Sequence, residues 1–162
     1  MLVPVDSRYL RSVWDYVERG LWAIIDKTKD DWIPADVYAE IRGGVSRLFM
    51  MEYGGERRGF VVVQLWPQYH AGPRLFIRAL WSEPGALVAH RADVYEDLDE
   101  LARSNGATAM RQLSPRRWDA DGWTLKQYIY EREVPTLQIE KRGGFVDPYV
   151  TTPNPYAEVK EA

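Results

Sequence analysis

Arg74-Leu75-Phe76-Ile77-Arg78-Ala79-Leu80-Trp81-Ser82-Glu83-Pro84-Gly85-Ala86-Leu87 is the stretch that decides the fold. Its first eight residues are dominated by bulky apolar side chains and predict a strand over 74–81. Alternation places Leu75, Ile77 and Ala79 on one face and Phe76, Arg78 and Leu80 on the other. Ser82-Glu83-Pro84-Gly85 breaks the chain, and a long helix is expected from Leu87 to about Ser104. Val88, Ala92, Tyr95, Leu98 and Ala102 form its apolar stripe, and Asn105-Gly106 is a C-terminal stop. Ala107 to Leu113 then reads as another strand. Strand, crossover helix and strand are the grammar of an α/β domain.

Working towards the amino terminus, Phe60-Val61-Val62-Val63 lies in a strand expected over 59–66, uncharged enough to be covered on both faces. A partner strand is expected over 47–53, joined to it by a hairpin turn at Gly54-Gly55-Glu56-Arg57. Two helices precede these strands. The first, from Ser7 to Lys27, carries Leu10, Val13, Trp14, Val17, Leu21, Ile24 and Ile25 at steps of three and four. Asp6 or Ser7 can cap it, and Gly20 inside the pattern suggests a kink. The second opens at Ile33-Pro34, with proline in the first turn where its missing N–H does no harm. It buries Val37, Ile41 and Val45 and ends at Gly43-Gly44. Towards the carboxyl terminus, Ser114 to about Lys126 holds a short helical region, and Tyr128 to Val134 a closing strand. Residues 135–162 contain Pro135, Pro148, Pro153 and Pro155 without a useful period, and read as an extended arm that Phe145, Tyr149 and Tyr156 could pin to a partner. The domain expectation is therefore 1–134 followed by the arm 135–162.

Composition narrows the function. The hydrophobic share of 46% and charged share of 28% are those of a globular chain. A net charge of −3 argues against phosphate neutralisation as the mode of binding, so nucleic acid is not an expected partner. With no cysteine there is no disulfide, thiolate zinc site or cysteine nucleophile. His70 and His90 have no ligand spacing around them, and no metal is expected. Neither a secretory signal nor a membrane-spanning run is recognisable, so the expected location is a cytoplasm or a virion. Seven Trp and ten Tyr exceed what a core of this size requires and are equally at home on a protein–protein surface.

The order helix, helix, three antiparallel strands, long helix, strand, short helix, strand resembles the GCN5-related N-acetyltransferase (GNAT) fold over roughly residues 7–134. That resemblance implies a mixed, mostly antiparallel sheet flanked by helices. The segments Leu101-Ala102-Arg103-Ser104-Asn105-Gly106-Ala107, Arg116-Arg117-Trp118 and Tyr130-Glu131-Arg132-Glu133-Val134 also resemble acetyltransferase-like proteins of tailed bacteriophages.

In that family the strand at 74–81 would lend its backbone to the pantetheine arm of acetyl-CoA, and the following turn would bind pyrophosphate through backbone N–H groups. The resemblance thus points to Leu80, Trp81, Gly85, Ala86 and Leu87 as coenzyme contacts. Active members write the turn as Gln or Arg, two residues, then Gly-x-Gly or Gly-x-Ala. Here it is Ser82-Glu83-Pro84-Gly85-Ala86-Leu87, where Pro84 removes a donor and Glu83 adds negative charge. Arg78 stands where a general base would be, leaving Glu83 as the nearby carboxylate. Trp123 occupies about the place of the family's tyrosine acid, with Tyr128 a few residues beyond. Arg116, Arg117 and Trp118 could form a cationic corner, more simply a structural stack.

These departures favour a non-catalytic scaffold, a phage virion or head-assembly component using no cofactor. It would engage other assembly subunits, or further copies of itself, through the arm and its aromatic surface. The alternative is an N-acetyltransferase with a divergent coenzyme turn, using acetyl-CoA. An inhibitor of a host protein is a third reading.

Overall fold

The computed structural model describes residues 1–68, 70 and 72–113. Five strands form one sheet in the order β1 to β5: β1 (Leu2–Pro4), β2 (Arg47–Tyr53), β3 (Glu56–Trp66), β4 (Arg74–Ser82) and β5 (Ala109–Gln112). The first four run antiparallel to their neighbours, and β5 pairs parallel to β4. Helices α1 (Leu10–Thr28) and α2 (Pro34–Arg42) precede β2, while α3 (Ala86–Ala89) and α4 (Arg91–Ser104) lie between β4 and β5. No helix among the described residues is long and apolar enough to cross a membrane.

One face of the sheet packs on α1 and α2. Leu10, Val13, Val17 and Leu21 from α1 and Val37 and Ile41 from α2 meet Leu48, Met50, Phe60, Val62 and Ala79, all nearly inaccessible to solvent. The residues at alternate positions, Phe49, Met51, Val61, Val63, Leu75 and Ile77, are buried too. Val94, Leu98 and Ala102 of α4, four residues apart, are buried with them. The unbroken apolar run of β3 thus reflects cover on both faces, as the sequence predicts.

Several local expectations change. A short edge strand, β1, was not foreseen; at three residues including Pro4 it carries almost no periodic signal. The first helical segment starts as a 3-10 turn at Ser7–Tyr9, with the Asp6 carboxylate accepting the Arg8 N–H at 2.8 Å. Gly20 lies within the continuous α1, and a Cβ there would collide with the Phe60 ring and lie 2.7 Å from Trp81 Cδ2, so glycine permits close helix–sheet approach. Val45 lies beyond the end of α2 and is exposed. The long helix expected from Leu87 is broken at His90, whose backbone leaves the helical region and whose ring stacks on Tyr53 at 3.8 Å. The break rotates the buried stripe to Val94, Leu98 and Ala102, leaving Val88 exposed. The hairpin is tighter than four residues: Gly54 and Gly55 both take positive φ, the type I′ geometry that follows strand twist.

Side-chain hydrogen bonding to Arg8, with backbone and Coulombic support, holds the Asp6 carboxyl down at about 2, against 3.8 ordinarily. A depressed folded pKa means this cap contributes above the unfolded value and fades as pH falls through about 2. Carboxyl NMR titration should place the Asp6 midpoint near 2, and higher in Arg8→Ala, which removes the side-chain contacts but keeps the backbone bond.

The expected helical region after Ser114, the strand 128–134, the arm 135–162 and the residues Arg116, Arg117, Trp118, Trp123, Tyr128, Phe145, Tyr149 and Tyr156 lie outside the described residues.

Candidate functional site

Strand β4 positions the site. Its register with β3 shifts between Val62 and Val63, so that Val62 opposes Ala79 while Val63 opposes Ile77. Arg78 is the extra residue of a β-bulge. Simple alternation fails from this point. Ala79 and Trp81 share the α1/α2 face with Phe76 and Arg78, and Leu80 passes to the other face, which corrects the facing expected for Ala79 and Leu80. Two residues facing one partner reverse the phase of every later side chain.

The bulge lies one residue past the last β4–β5 pair among the described residues, where parallel pairing covers Arg74 to Ile77 against Ala109 to Gln112. Beyond Ile77 the β4 edge has no strand partner among the described residues. A cleft of about 330 Å3 lies there, with Arg78, Ala79, Leu80, Trp81 and Ser82 along one side. The end of α1 supplies Lys27 and Thr28, the following connection Asp30 and Trp32, and the far side carries Leu87, Gln112 and Leu113.

The turn at the end of β4 has a defined geometry. Glu83 C=O accepts the Ala86 N–H at 3.1 Å, and Gly85 between them has φ 81° and ψ −18°. Pro84 and Gly85 thus occupy the two central positions of a type II turn, the places where each is favoured. The Glu83 N–H goes to Arg58 C=O at 2.9 Å. The N–H groups of Gly85, Leu87 and Val88 find no backbone acceptor among the described residues. A hollow of about 210 Å3 adjoins the turn, lined by Arg58, Glu83, Gly85, Ala86 and His90 among others.

Of the residues singled out in the sequence, Leu80, Trp81 and Leu87 line the cleft, whereas Gly85 and Ala86 line the adjoining hollow. Ala86 spends its N–H on the turn. Glu83 pairs with Arg58 at 3.3 Å, which counters the negative charge it brings. The Tyr16 hydroxyl is buried near Glu83. Burial, then the Glu83 charge, raises its pKa.

Sequence reading missed the polar cluster behind the bulge. Arg78 Nε lies 3.5 Å from Glu40 Oε1, and its guanidinium sits over the Trp32 ring at 4.6 Å. Glu40 Oε2 accepts from Ser46 Oγ at 2.8 Å and Gln64 Nε2 at 3.0 Å, and Gln64 Oε1 accepts from Trp66 Nε1 at 2.8 Å. These residues come from α2, β3, β4 and the connections, with no common motif to announce them. The one available signal was a charged Arg78 inside an apolar strand.

No protein-family model and no curated protein matches the sequence. Solved structures do match in shape. AAC(6')-Iy, in complex with the bisubstrate analog CoA-S-monomethyl-acetylneamine, superposes with a TM-score of 0.59 at 15% identity, covering 83% of this chain and 98% of that one. A GNAT family acetyltransferase from Staphylococcus aureus gives 0.59 at 10% identity, covering 83% and 98%. An aminoglycoside acetyltransferase, HMB0005, from an uncultured soil metagenomic sample gives 0.57 at 10% identity, covering 84% and 97%. At such identities the likeness concerns the fold, and it agrees with the five-stranded, mostly antiparallel sheet flanked by helices. This chain has the GNAT fold of the acetyltransferases.

Proposed function

We propose that this protein is an N-acyltransferase that takes its acyl group from acetyl-CoA bound along β4. The observation that carries this reading is the cleft along Arg78–Ser82 of β4, leading directly into the turn at Glu83–Ala86. The residues present fit such a group. An extended amide-bearing arm can pair with β4 as a strand would. Leu80, Trp81, Leu87 and Leu113 offer apolar walls. The N–H groups of Gly85, Leu87 and Val88 remain for phosphate oxygens, and Arg58 offsets Glu83. When bound, acetyl-CoA supplies an activated acyl thioester. The chain's own work is to hold the acceptor amine beside it and to relay the proton the amine loses to the coenzyme A thiolate released as the C–S bond breaks. Asp30 is the carboxylate among the described lining residues, with Thr28 Oγ1 donating to its Oδ2 at 2.7 Å. It can receive that proton through water. Glu40 is poorly suited, because both of its oxygens are already engaged.

The non-catalytic virion or head-assembly scaffold draws on the arm 135–162, outside the described residues. No described feature favours it over coenzyme binding. Titration calorimetry with acetyl-CoA separates the two. Micromolar binding is expected, weakened about tenfold or more in Gly85→Val. Positive φ at a β-branched residue costs roughly 1–2 kcal/mol and would shift the turn. A Cβ at Gly85 meets nothing within 4 Å, so the variant should fold. Wild-type protein blind to millimolar acetyl-CoA would end the acyltransferase reading.

A further inference from the structure

We propose that Arg78 selects an acceptor amine carrying a carboxylate, the class that includes free amino acids; this rests on the acyltransfer reading above. Arg78 is the bulged residue of β4, and its side chain lines the cleft. Only 18% of that side chain is exposed. Its five N–H donors need acceptors from the protein, from water in the cleft or from a ligand. Glu40 engages Nε alone, at 3.5 Å, and Trp32 covers a face of the group. Neither Nη1 nor Nη2 hydrogen-bonds to a described residue.

The partners of Glu40 explain why it does not finish the task. Its Oε2 is held by Ser46 and Gln64, so the carboxylate is tied to the α2–β3 side and does not line the cleft. Arg78 does line it, and Lys27 at the end of α1 adds a second cation to the lining. The cleft therefore presents positive charge backed by a fixed carboxylate that it does not expose. The planar fork of the guanidinium matches a ligand carboxylate. Asp30 in the same lining is complementary to the acceptor's amine. A cleft with both signs in place suits a zwitterion better than a polycation.

Saturation-transfer NMR on the full chain, with and without coenzyme A, tests this using free L-amino acids, their carboxamides and spermidine. Acids should bind about tenfold more tightly than the matching amides, the value of one charge-assisted contact. Arg78→Gln should abolish the difference, while Glu40→Gln, which frees Arg78, should keep or enlarge it. A purely structural Arg78–Glu40 pair would make the two variants behave alike, and thermal unfolding of each checks that they fold. Acids no better than amides in the wild type, or a preference for spermidine, overturns the proposal. Coenzyme A binding without acid preference removes the carboxylate site alone, whereas acid preference without coenzyme A binding removes the acyltransfer reading.

Discussion

Replacing Phe60 by alanine is expected to destabilise the protein by about 3–5 kcal/mol, a large share of the roughly 5–15 kcal/mol available to an ordinary domain. The ring is fully buried at the centre of β3. It lies against the backbone of Gly20 in α1 and packs near Trp81 at 5.8 Å between centroids. Neither side can close the void: α1 is held by Leu10, Val17 and Leu21, and β3 by strands on both sides. The loss therefore combines transfer free energy with a cavity that persists. Urea unfolding should show a lower midpoint at nearly unchanged slope. Trp81 lines the cleft, so acetyl-CoA affinity should fall as well. A cost below about 1 kcal/mol would contradict the burial on which this rests.

Gly59→Val should be at least as damaging, for the opposite reason. Gly59 faces Ser82 across the β3–β4 ladder, at the entrance to the coenzyme turn. A Cβ there would overlap Met51 Cε and the Trp81 carbonyl oxygen and come within 2.9 Å of Ser82 Cα. The methionine tip can move, but two of the three obstacles are backbone. Overpacking costs typically about 1–3 kcal/mol, and more where main chain must yield. The strain falls on Trp81 and Ser82, so acetyl-CoA binding should be lost even under conditions where the variant remains folded. Gly59→Ala gives a graded test: circular dichroism should report a native fold and calorimetry a weakened complex. Unchanged stability and binding in both variants would mean the two strands do not approach as described.

Much of the fold was legible because burial leaves a period. The stripes of α1 and α2, the apolar run at Phe60–Val63 and the Gly54-Gly55 hairpin each follow from side-chain spacing or a local backbone requirement. Pro84-Gly85 likewise specifies a turn through the φ preferences of two residues. Local chemistry suffices where the constraint is local.

The site was less legible. The exchange of faces after Ile77 depends on one extra residue opposite Val63, which alternation cannot foresee. The break at His90 is accompanied by a stack on Tyr53, distant in sequence. Glu40, Ser46, Gln64 and Trp32 gather around Arg78 from four separate segments. Sequence alone established an α/β chain with a strand, a proline–glycine turn and a crossover to a second strand. Only tertiary structure decided that Arg78 is bulged out of the β3–β4 register and that Glu83 pairs with Arg58. Strand register and ion pairing are settled by contacts between remote residues, whose energies have no signature in the spacing of neighbours.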